Sequence, residues 1–398
     1  MGRARGAARR GDGARGDAAP HGAVVRDLER RFLIVTGEAS GDLHAAHLVE
    51  ALRTLGPCRV RGIAGPALRA AGTECLVPAE ALAVVGFAEI LERLPRLLAT
   101  RRLLLEEVRS FRPHAVVLVD YPGFNLRLGP ALKRCGARIF YYIAPQVWAW
   151  HPERARAMAQ WVDHLAVVFP FEEPLFRAAG VPVSFVGHPL LDDFAPETSA
   201  DEFRATLGLD AASPVLGLLP GSRAQEIARH VGLLIAGARR LAATRPNLQT
   251  VLALAPGAEL PRGFDSAPAR IARGLTRATQ AYATACAVAS GTATLETALF
   301  GTPLVVLYRT GRLNYAIARR LVRIPRIGLP NIVAEATVAP ELIQDQLTPA
   351  ALADALAPWL DDPAARAAQH RALAIVREKL GSPGASARAA RRLWELAA

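Results

Sequence analysis

Lysine is almost missing from this chain. Only Lys133 and Lys379 are present, so arginine carries nearly all of the positive charge behind a net +12 at pH 7. The arginines are scattered, and no basic run is interleaved with aromatic residues, which excludes an obvious nucleic-acid surface. The charge fits a cationic face turned toward anionic lipid or a phosphorylated substrate. Cysteine is scarce as well. Cys58, Cys75, Cys135 and Cys286 form no CxxC pair and have no histidine at zinc-ligand spacing. That excludes a disulfide framework and a structural zinc, and it fits a reducing compartment with small buried thiols. No uninterrupted apolar run reaches the roughly 18 residues of a spanning helix, so a soluble or at most peripheral protein is expected. Residues 1–22 contain no Ile, Leu, Val or Phe. They can bury no apolar surface and are expected to form a disordered tail, and they lack the apolar stretch of a secretory signal.

What is present is ample core material: 398 residues, 51% of them hydrophobic, enough for two domains at roughly 150 residues each. From residue 31 onward, short apolar runs alternate with amphipathic stretches, the pattern of parallel βα units. Phe32–Thr36 reads as a strand, Gly37–Asp42 as a loop, and the following segment as a helix through Leu55. Ala115–Val119 is a buried strand ending at Asp120, and Arg138–Ile143 and His164–Phe169 are two more. Gly187–Asp193 with Ala195–Glu202 reads as a linker. A second series then begins: strand Val215–Leu219, tight loop Pro220–Arg223, helix Ala224–Thr244, and strands Thr250–Leu254, Ala285–Ala289 and Leu304–Leu307. The fold class expected is α/β, with two doubly wound Rossmann-like domains, 23–190 and 191–365, facing one cleft. Helices in 366–398 are expected to pack back on the first domain.

In such sheets ligands bind beyond the carboxyl ends of strands, against helix N-termini. Three loops qualify. In Gly37-Glu-Ala-Ser-Gly-Asp42, Ser40 or Asp42 suits a helix cap, while Glu38 follows a buried strand directly and faces the cleft. In Pro220-Gly221-Ser222-Arg223, small residues offer backbone N–H groups to a phosphate and Arg223 adds a bidentate charge; a plain turn is the competing reading. Ser290-Gly291-Thr292-Ala293-Thr294-Leu295-Glu296 opens a helix with hydroxyls at the positive end of its dipole, and Glu296 lies where a carboxylate reaches a ribose diol. Asp120, ending an apolar strand, is a candidate general base with a raised pKa, against a structural turn aspartate. His44 is a weaker candidate because it lies inside a helix. Neither Gly-Ser loop matches the dinucleotide fingerprint GxGxxG with its acid about 20 residues on, and the phosphate loop GxxxxGK[ST] and Asp-x-Asp are absent. No metal and no cofactor is therefore expected, and charge on a departing diphosphate falls to arginine and helix N-termini.

At these loops the chain resembles the lipid-A-disaccharide synthase family. The resemblance rests on Phe32–Leu43 (FLIVTGEASGDL), Tyr142–Trp150 (YIAPQVWAW), Phe169–Glu172 (FPFE), Phe185–Pro189 (FVGHP), Leu218–Arg223 (LLPGSR), Ala289–Glu296 (ASGTATLE) and Leu329–Ile332 (LPNI). It spans roughly residues 31–395 in the family's order and spacing. It implies an inverting, metal-independent glycosyltransferase of GT-B fold. The implied reaction condenses UDP-2,3-diacylglucosamine with 2,3-diacylglucosamine 1-phosphate into a β-1,6-linked disaccharide 1-phosphate and UDP. The implied setting is lipid A and lipopolysaccharide synthesis at the cytoplasmic face of the Gram-negative inner membrane. By position, Asp120 matches the acid implicated in catalysis, Glu38 the first-loop acid, Arg223 the phosphate-binding arginine and Asn331 the donor-site asparagine. Where the family often has a second acid this chain has Gly123, which leaves more weight on Asp120. The family includes dimers, so a homodimer is also implied.

One further segment suits that substrate class on its own composition. Val84–Leu98 and Arg101–Leu105 are apolar with interspersed arginines. Phe87, Ile90, Leu91, Leu94, Leu97 and Leu98 are read as an acyl-chain or membrane patch with arginine near lipid phosphates, against a buried helix pair. Two other functions compete with the acyl-sugar transferase. A UDP-N-acetylglucosamine 2-epimerase, or a transferase with a soluble acceptor, gives no reason for such a patch. A non-catalytic nucleotide-sugar binder gives no reason for both Glu38 and Asp120.

Overall fold

The computed structural model describes residues 29–82, 87–147, 153–311, 315 and 325–398, and the backbone alone over 87–94. The expected tail 1–22 lies outside the described residues, as do Trp148 and Trp150 and the side chains of Phe87, Ile90, Leu91 and Leu94.

Runs such as Ala115-Val-Val-Leu-Val119 are apolar at every position, so both faces must be covered, which a parallel sheet between helix layers provides. The first half of the chain builds β1 (Arg30–Val35), α1 (Ala39–Leu55), β2 (Cys58–Ala64), α2 (Pro66–Ala70), β3 (Glu74–Pro78), α3 (Phe87–Ser110) and β4 (Ala115–Val119). It continues through α4 (Pro122–Arg134), β5 (Ile139–Tyr142), α5 (Glu153–Met158), β6 (His164–Val167), α6 (Glu172–Ala178) and β7 (Val183–Phe185). Among the described residues these strands form one parallel sheet in the order β3-β2-β1-β4-β5-β6-β7.

The second half repeats the scheme. It contains α7 (Ala200–Leu207), β8 (Val215–Leu219), α8 (Ala224–Ala242), β9 (Gln249–Leu254), β10 (Ala269–Arg273), α9 (Thr276–Tyr282), β11 (Ala285–Ala289) and α10 (Thr292–Leu299). Then follow β12 (Leu304–Tyr308), α11 (Leu329–Ala334), β13 (Glu341–Ile343), α12 (Pro349–Asp361), α13 (Pro363–Leu380) and α14 (Ala385–Leu396). Its parallel sheet runs β10-β9-β8-β11-β12-β13. Chain order reverses direction between β1 and β4 in one sheet and between β8 and β11 in the other. The loops after those four strands therefore diverge and leave a crevice in each half.

The segment 187–193 is not a free linker. Pro189–Leu191 forms a buried 3-10 turn, and Val186, Leu190 and Leu191 join a single apolar cluster that includes Phe32 on one side and Val215 on the other. The polar stretch expected to extend to Glu202 ends at Ser199, whose side chain and Glu202 form a capping box at the start of α7. The carboxyl-terminal helices divide between the halves. α13 packs on α10 and α11, whereas α14 crosses to α1. Asp192 holds that crossing by accepting bonds from the backbone of Gly384, Ala385 and Ser386 at 2.7–2.9 Å. Burial would raise the Asp192 carboxyl, but these bonds outweigh it and the pKa falls. Arg30 stacks over Trp394 at 4.0 Å, and Arg138 donates to the carbonyls of Leu396 and Ala398 at 2.7 Å.

Candidate active site

Glu38 and Asp120 follow neighbouring strands, β1 and β4, at the point where the first sheet changes direction. Both line a cavity of about 510 Å³, together with Ser40, His44, Arg154 and His188. Thr292 and Leu329 of the second half close its other side. Asp120 has an unusual backbone: it and Tyr121 both adopt the left-handed region, at φ 45° and 49°. Burial first, and then the neighbouring Glu38 carboxylate, push the Asp120 carboxyl from 3.8 up to about 6 against a hydrogen bond from the Tyr121 backbone. The Tyr121 ring lies over Gly37, where a Cβ would stand 2.4 Å from the ring atoms, so only glycine fits at the end of β1.

Two histidines, His44, the weaker candidate, and His188, not singled out by the sequence, line the cavity with these acids. His188, from the Phe185–Pro189 motif, accepts at Nδ1 from the Leu190 N–H at 3.2 Å. Burial, followed by its neighbour His44, lowers it to about 3. His44 is lowered to about 4, first by burial and then by His47. Both rings are neutral at physiological pH, and His188 acts there as a hydrogen-bond acceptor.

In the second half, Arg223 stands at the start of α8 with a largely exposed side chain. It lines a second cavity of about 310 Å³ together with Glu226, Arg229, His230, Ser290, Tyr308 and Arg309. The loop's anion position is already taken. Glu226 accepts from the Ser222 and Arg223 backbone N–H groups at 3.3 and 3.4 Å and from the Arg223 guanidinium at 3.1 Å. Gly221, at φ 112°, leaves room for that carboxylate. His230 ties this loop to the end of β12: Nδ1 lies 2.8 Å from the Pro220 carbonyl, and Nε2 accepts from the Arg309 N–H at 3.1 Å.

The third loop divides among several environments. Thr292 faces the first cavity and Ser290 the second, where the Ser290 hydroxyl donates to the Ile327 carbonyl at 3.2 Å. Gly291 is exposed. Thr294 is buried and donates to the Gly291 carbonyl at 2.7 Å, so its hydroxyl holds the helix start. Glu296 lines neither cavity; Arg277 and Gln280 each donate to it at 3.4 Å. Its burial raises its pKa in spite of Arg277.

Two polar side chains take partners that their motifs do not reveal. Asn331, expected at the donor site, is fully buried and its side chain is spent within its own half. Its amide donates to the Ala339 carbonyl and to Glu341, both at 2.7 Å, and its oxygen accepts from the Val338 and Ala339 N–H groups at 2.8 Å. It fastens the Leu-Pro-Asn turn to the segment before β13. Asp42 caps a helix, but not α1. Its carboxylate accepts from Gly65 and Ala67 at 2.6 and 2.8 Å at the start of α2, a partner 23 residues away.

The apolar segment is mixed where its side chains are described. Leu98 is 46% exposed and Leu97 half-buried, while Leu104 and Val108 of the same helix are core. Among the described residues no helix is long and apolar enough to cross a membrane. Among them, too, no group of three or more His, Cys, Asp and Glu is placed to hold a metal ion.

The two-sheet architecture is shared with known structures. A UDP-GlcNAc 2-epimerase from Neisseria meningitidis bound to UDP-GlcNAc superimposes with a TM-score of 0.65 at 12% identity, covering 92% of this chain and all of the other. The calicheamicin glycosyltransferase CalG4 gives 0.59 at 19% identity, over 93% and 98% of the two chains. At that identity they establish the GT-B fold alone. Sequence relatives go further. Lipid-A-disaccharide synthase of Geobacter metallireducens is 43% identical over 376 residues, 92% of this chain and 97% of the relative. That of Syntrophus aciditrophicus is 44% identical over 365 residues, 90% and 95% of the two. The family model for lipid-A-disaccharide synthetase matches residues 32–391, and the chain is a glycosyltransferase belonging to that family.

Proposed function

We propose that the cleft joins UDP-2,3-diacylglucosamine to 2,3-diacylglucosamine 1-phosphate through a β-1,6 bond, with inversion and release of UDP. The observation that carries this reading is the single cavity in which Glu38 and Asp120 face Thr292 at the N-terminus of α10. The acceptor's 6-hydroxyl has a pKa far above 7 and needs a proton acceptor as its oxygen attacks. Asp120 takes that proton. The new C–O bond forms at the anomeric carbon while the bond to the diphosphate breaks, and the electron pair leaves with UDP. A carboxyl lifted to about 6 is a stronger base than an ordinary carboxylate and is still ionised at neutral pH. Arg223 and the first N–H groups of α10 meet the charge on the leaving diphosphate. Binding of the diphosphate in the Pro220–Arg223 loop requires Glu226 to give up its bonds there. Glu38 shares the acid end of the cleft, and its charge adds to the burial that keeps the Asp120 pKa high.

The acyl chains and an anionic lipid surface are assigned to the first half of α3. Exposed Leu98 between Arg96 and Arg102 supports that assignment, because leucine enters the acyl boundary while arginine remains at the phosphates. The protein then works peripherally at the inner face of the inner membrane, as a monomer or homodimer. Mass spectrometry of products from the two acylated substrates is the direct test. A tetraacyl disaccharide 1-phosphate with UDP is expected. An isomerised UDP-sugar formed without acceptor, or UDP-sugar binding without turnover, refutes the reading.

A further inference from the structure

The left-handed backbone at Asp120 and Tyr121 costs energy, since a non-glycine residue there brings its Cβ against the following carbonyl. Here two such residues follow each other, Asp120 and Tyr121. Strain of this kind persists only where neighbouring contacts over-determine it. Two of the contacts converge on the carbonyl oxygen and a third holds the N–H of the same residue. The Asp120 carbonyl oxygen accepts from the Tyr141 hydroxyl at 2.7 Å and from the Asn125 amide at 2.8 Å, and the Asp120 N–H donates to the Tyr142 carbonyl at 3.0 Å. Tyr141 and Asn125 are both fully buried. Neither lines the cavity, so neither reaches a substrate there. A hydroxyl buried in an apolar cluster has a cost unless it is bonded, and the Tyr141 hydroxyl donates its proton to the Asp120 carbonyl.

We infer that Tyr141, assisted by Asn125, is a positioning residue for the transfer reaction: by holding the Asp120 carbonyl inward it keeps the peptide turned so that the Asp120 carboxylate faces the acceptor. The inference rests on the reading of Asp120 as the base. Tyr141 acts from β5, the strand next to the one that carries Asp120, and Asn125 from the first turn and a half of α4. The base is therefore aimed by the sheet and by the following helix together. Relaxing the turn moves the carboxylate toward water and lowers its pKa. Other titratable or charged groups line the same cavity: Glu38 from the loop after β1, whose charge acts on Asp120, and His44 from α1, Arg154 from α5 and His188 from the turn after β7. None of them is altered by the substitution tested here.

The experiment is Tyr141→Phe, which keeps the ring and removes one donor, measured alongside Asp120→Asn and the double variant. Loss of one of two bonds to a buried carbonyl predicts a fall in kcat of about 5- to 10-fold. KM for UDP-sugar and UDP affinity are expected to stay within about twofold, and the acidic limb of the kcat profile to move to lower pH. In the Asp120→Asn background the second change adds nothing, because its effect passes through the carboxylate. If Tyr141→Phe keeps the parent kcat and pH limb, or multiplies the loss caused by Asp120→Asn, the positioning role is wrong. If Asp120→Asn itself keeps full kcat, the reading of the base fails first, which separates the two failures. Asn125→Ala removes the other donor and is held to the same criteria should Tyr141→Phe fail to fold.

Discussion

Asp120→Asn makes activity and stability move in opposite directions, and the structure sets the size of both changes. Removing the base predicts a loss of about 10²- to 10⁴-fold in kcat, the usual worth of a positioned general base. UDP binding is expected to stay near the parent value, because Arg223 and the α10 N-terminus lie in the other half. The stability change follows from the raised pKa. The carboxyl titrates near 3.8 when exposed and near 6 in the folded chain, so between those values the folded state binds more protons than the unfolded one. Folding stability therefore falls as pH rises through that window, and the penalty is complete above the folded pKa. A shift of that size corresponds to about 3 kcal/mol at pH 8 and roughly half as much at pH 5. Asparagine cannot ionise and escapes the penalty. Urea unfolding of parent and variant at pH 8 and pH 5 reads the difference directly. The variant's advantage is expected to shrink by about half between the two. An advantage that does not change with pH, or a variant that retains kcat, refutes the argument that burial tunes Asp120 as the base.

Three other outcomes are expected. Arg223→Ala should weaken UDP binding by about 2 kcal/mol in calorimetry, since a charge-assisted phosphate contact is lost; unchanged affinity would leave Glu226 as the guanidinium's whole purpose. Asn331→Ala should lower unfolding stability by about 2–4 kcal/mol, because the N–H groups of Val338 and Ala339 lose a buried acceptor. A loss of UDP affinity at full stability would instead return Asn331 to the donor site. Leu98→Glu should reduce flotation with anionic vesicles while leaving Tm unchanged, whereas Leu104→Ala should cost about 2–5 kcal/mol of stability as a core truncation. Unfolding by Leu98→Glu would mean that the patch is core.

Much of the architecture is legible in the chain because a strand covered on both faces is written as a continuous apolar run. Ala115–Val119, Val215–Leu219 and Ala285–Ala289 are such strands, and each is buried throughout. Strands farther out are harder to see. β2, Cys-Arg-Val-Arg-Gly-Ile-Ala, carries arginines on its exposed side that pair with Glu74 of β3, and edge strand β10, Ala-Arg-Ile-Ala-Arg, has arginine at two of its five positions. The same distinction runs through the site. Glu38 and Asp120 are recognisable as strand-end acids, since their position depends on the strands alone. His188 carried a signal in its motif, but its place beside His44 depends on the turn between the halves.

Local composition thus determined the two βα series, the strand-end loops proposed to carry the chemistry and the acids that stand in them, because secondary structure and strand-end position follow from patterns within a few residues. Which partner each polar group took was decided only in three dimensions. Asp42 caps α2 across the space between α1 and β2, and Asn331 spends its amide on the approach to β13. Glu226 curls back into the loop that reads as open for phosphate, and Tyr141 turns an ordinary strand hydroxyl toward the Asp120 carbonyl. Buried polar groups must find partners wherever packing brings them, and packing depends on strand order, which the residues around each group do not encode.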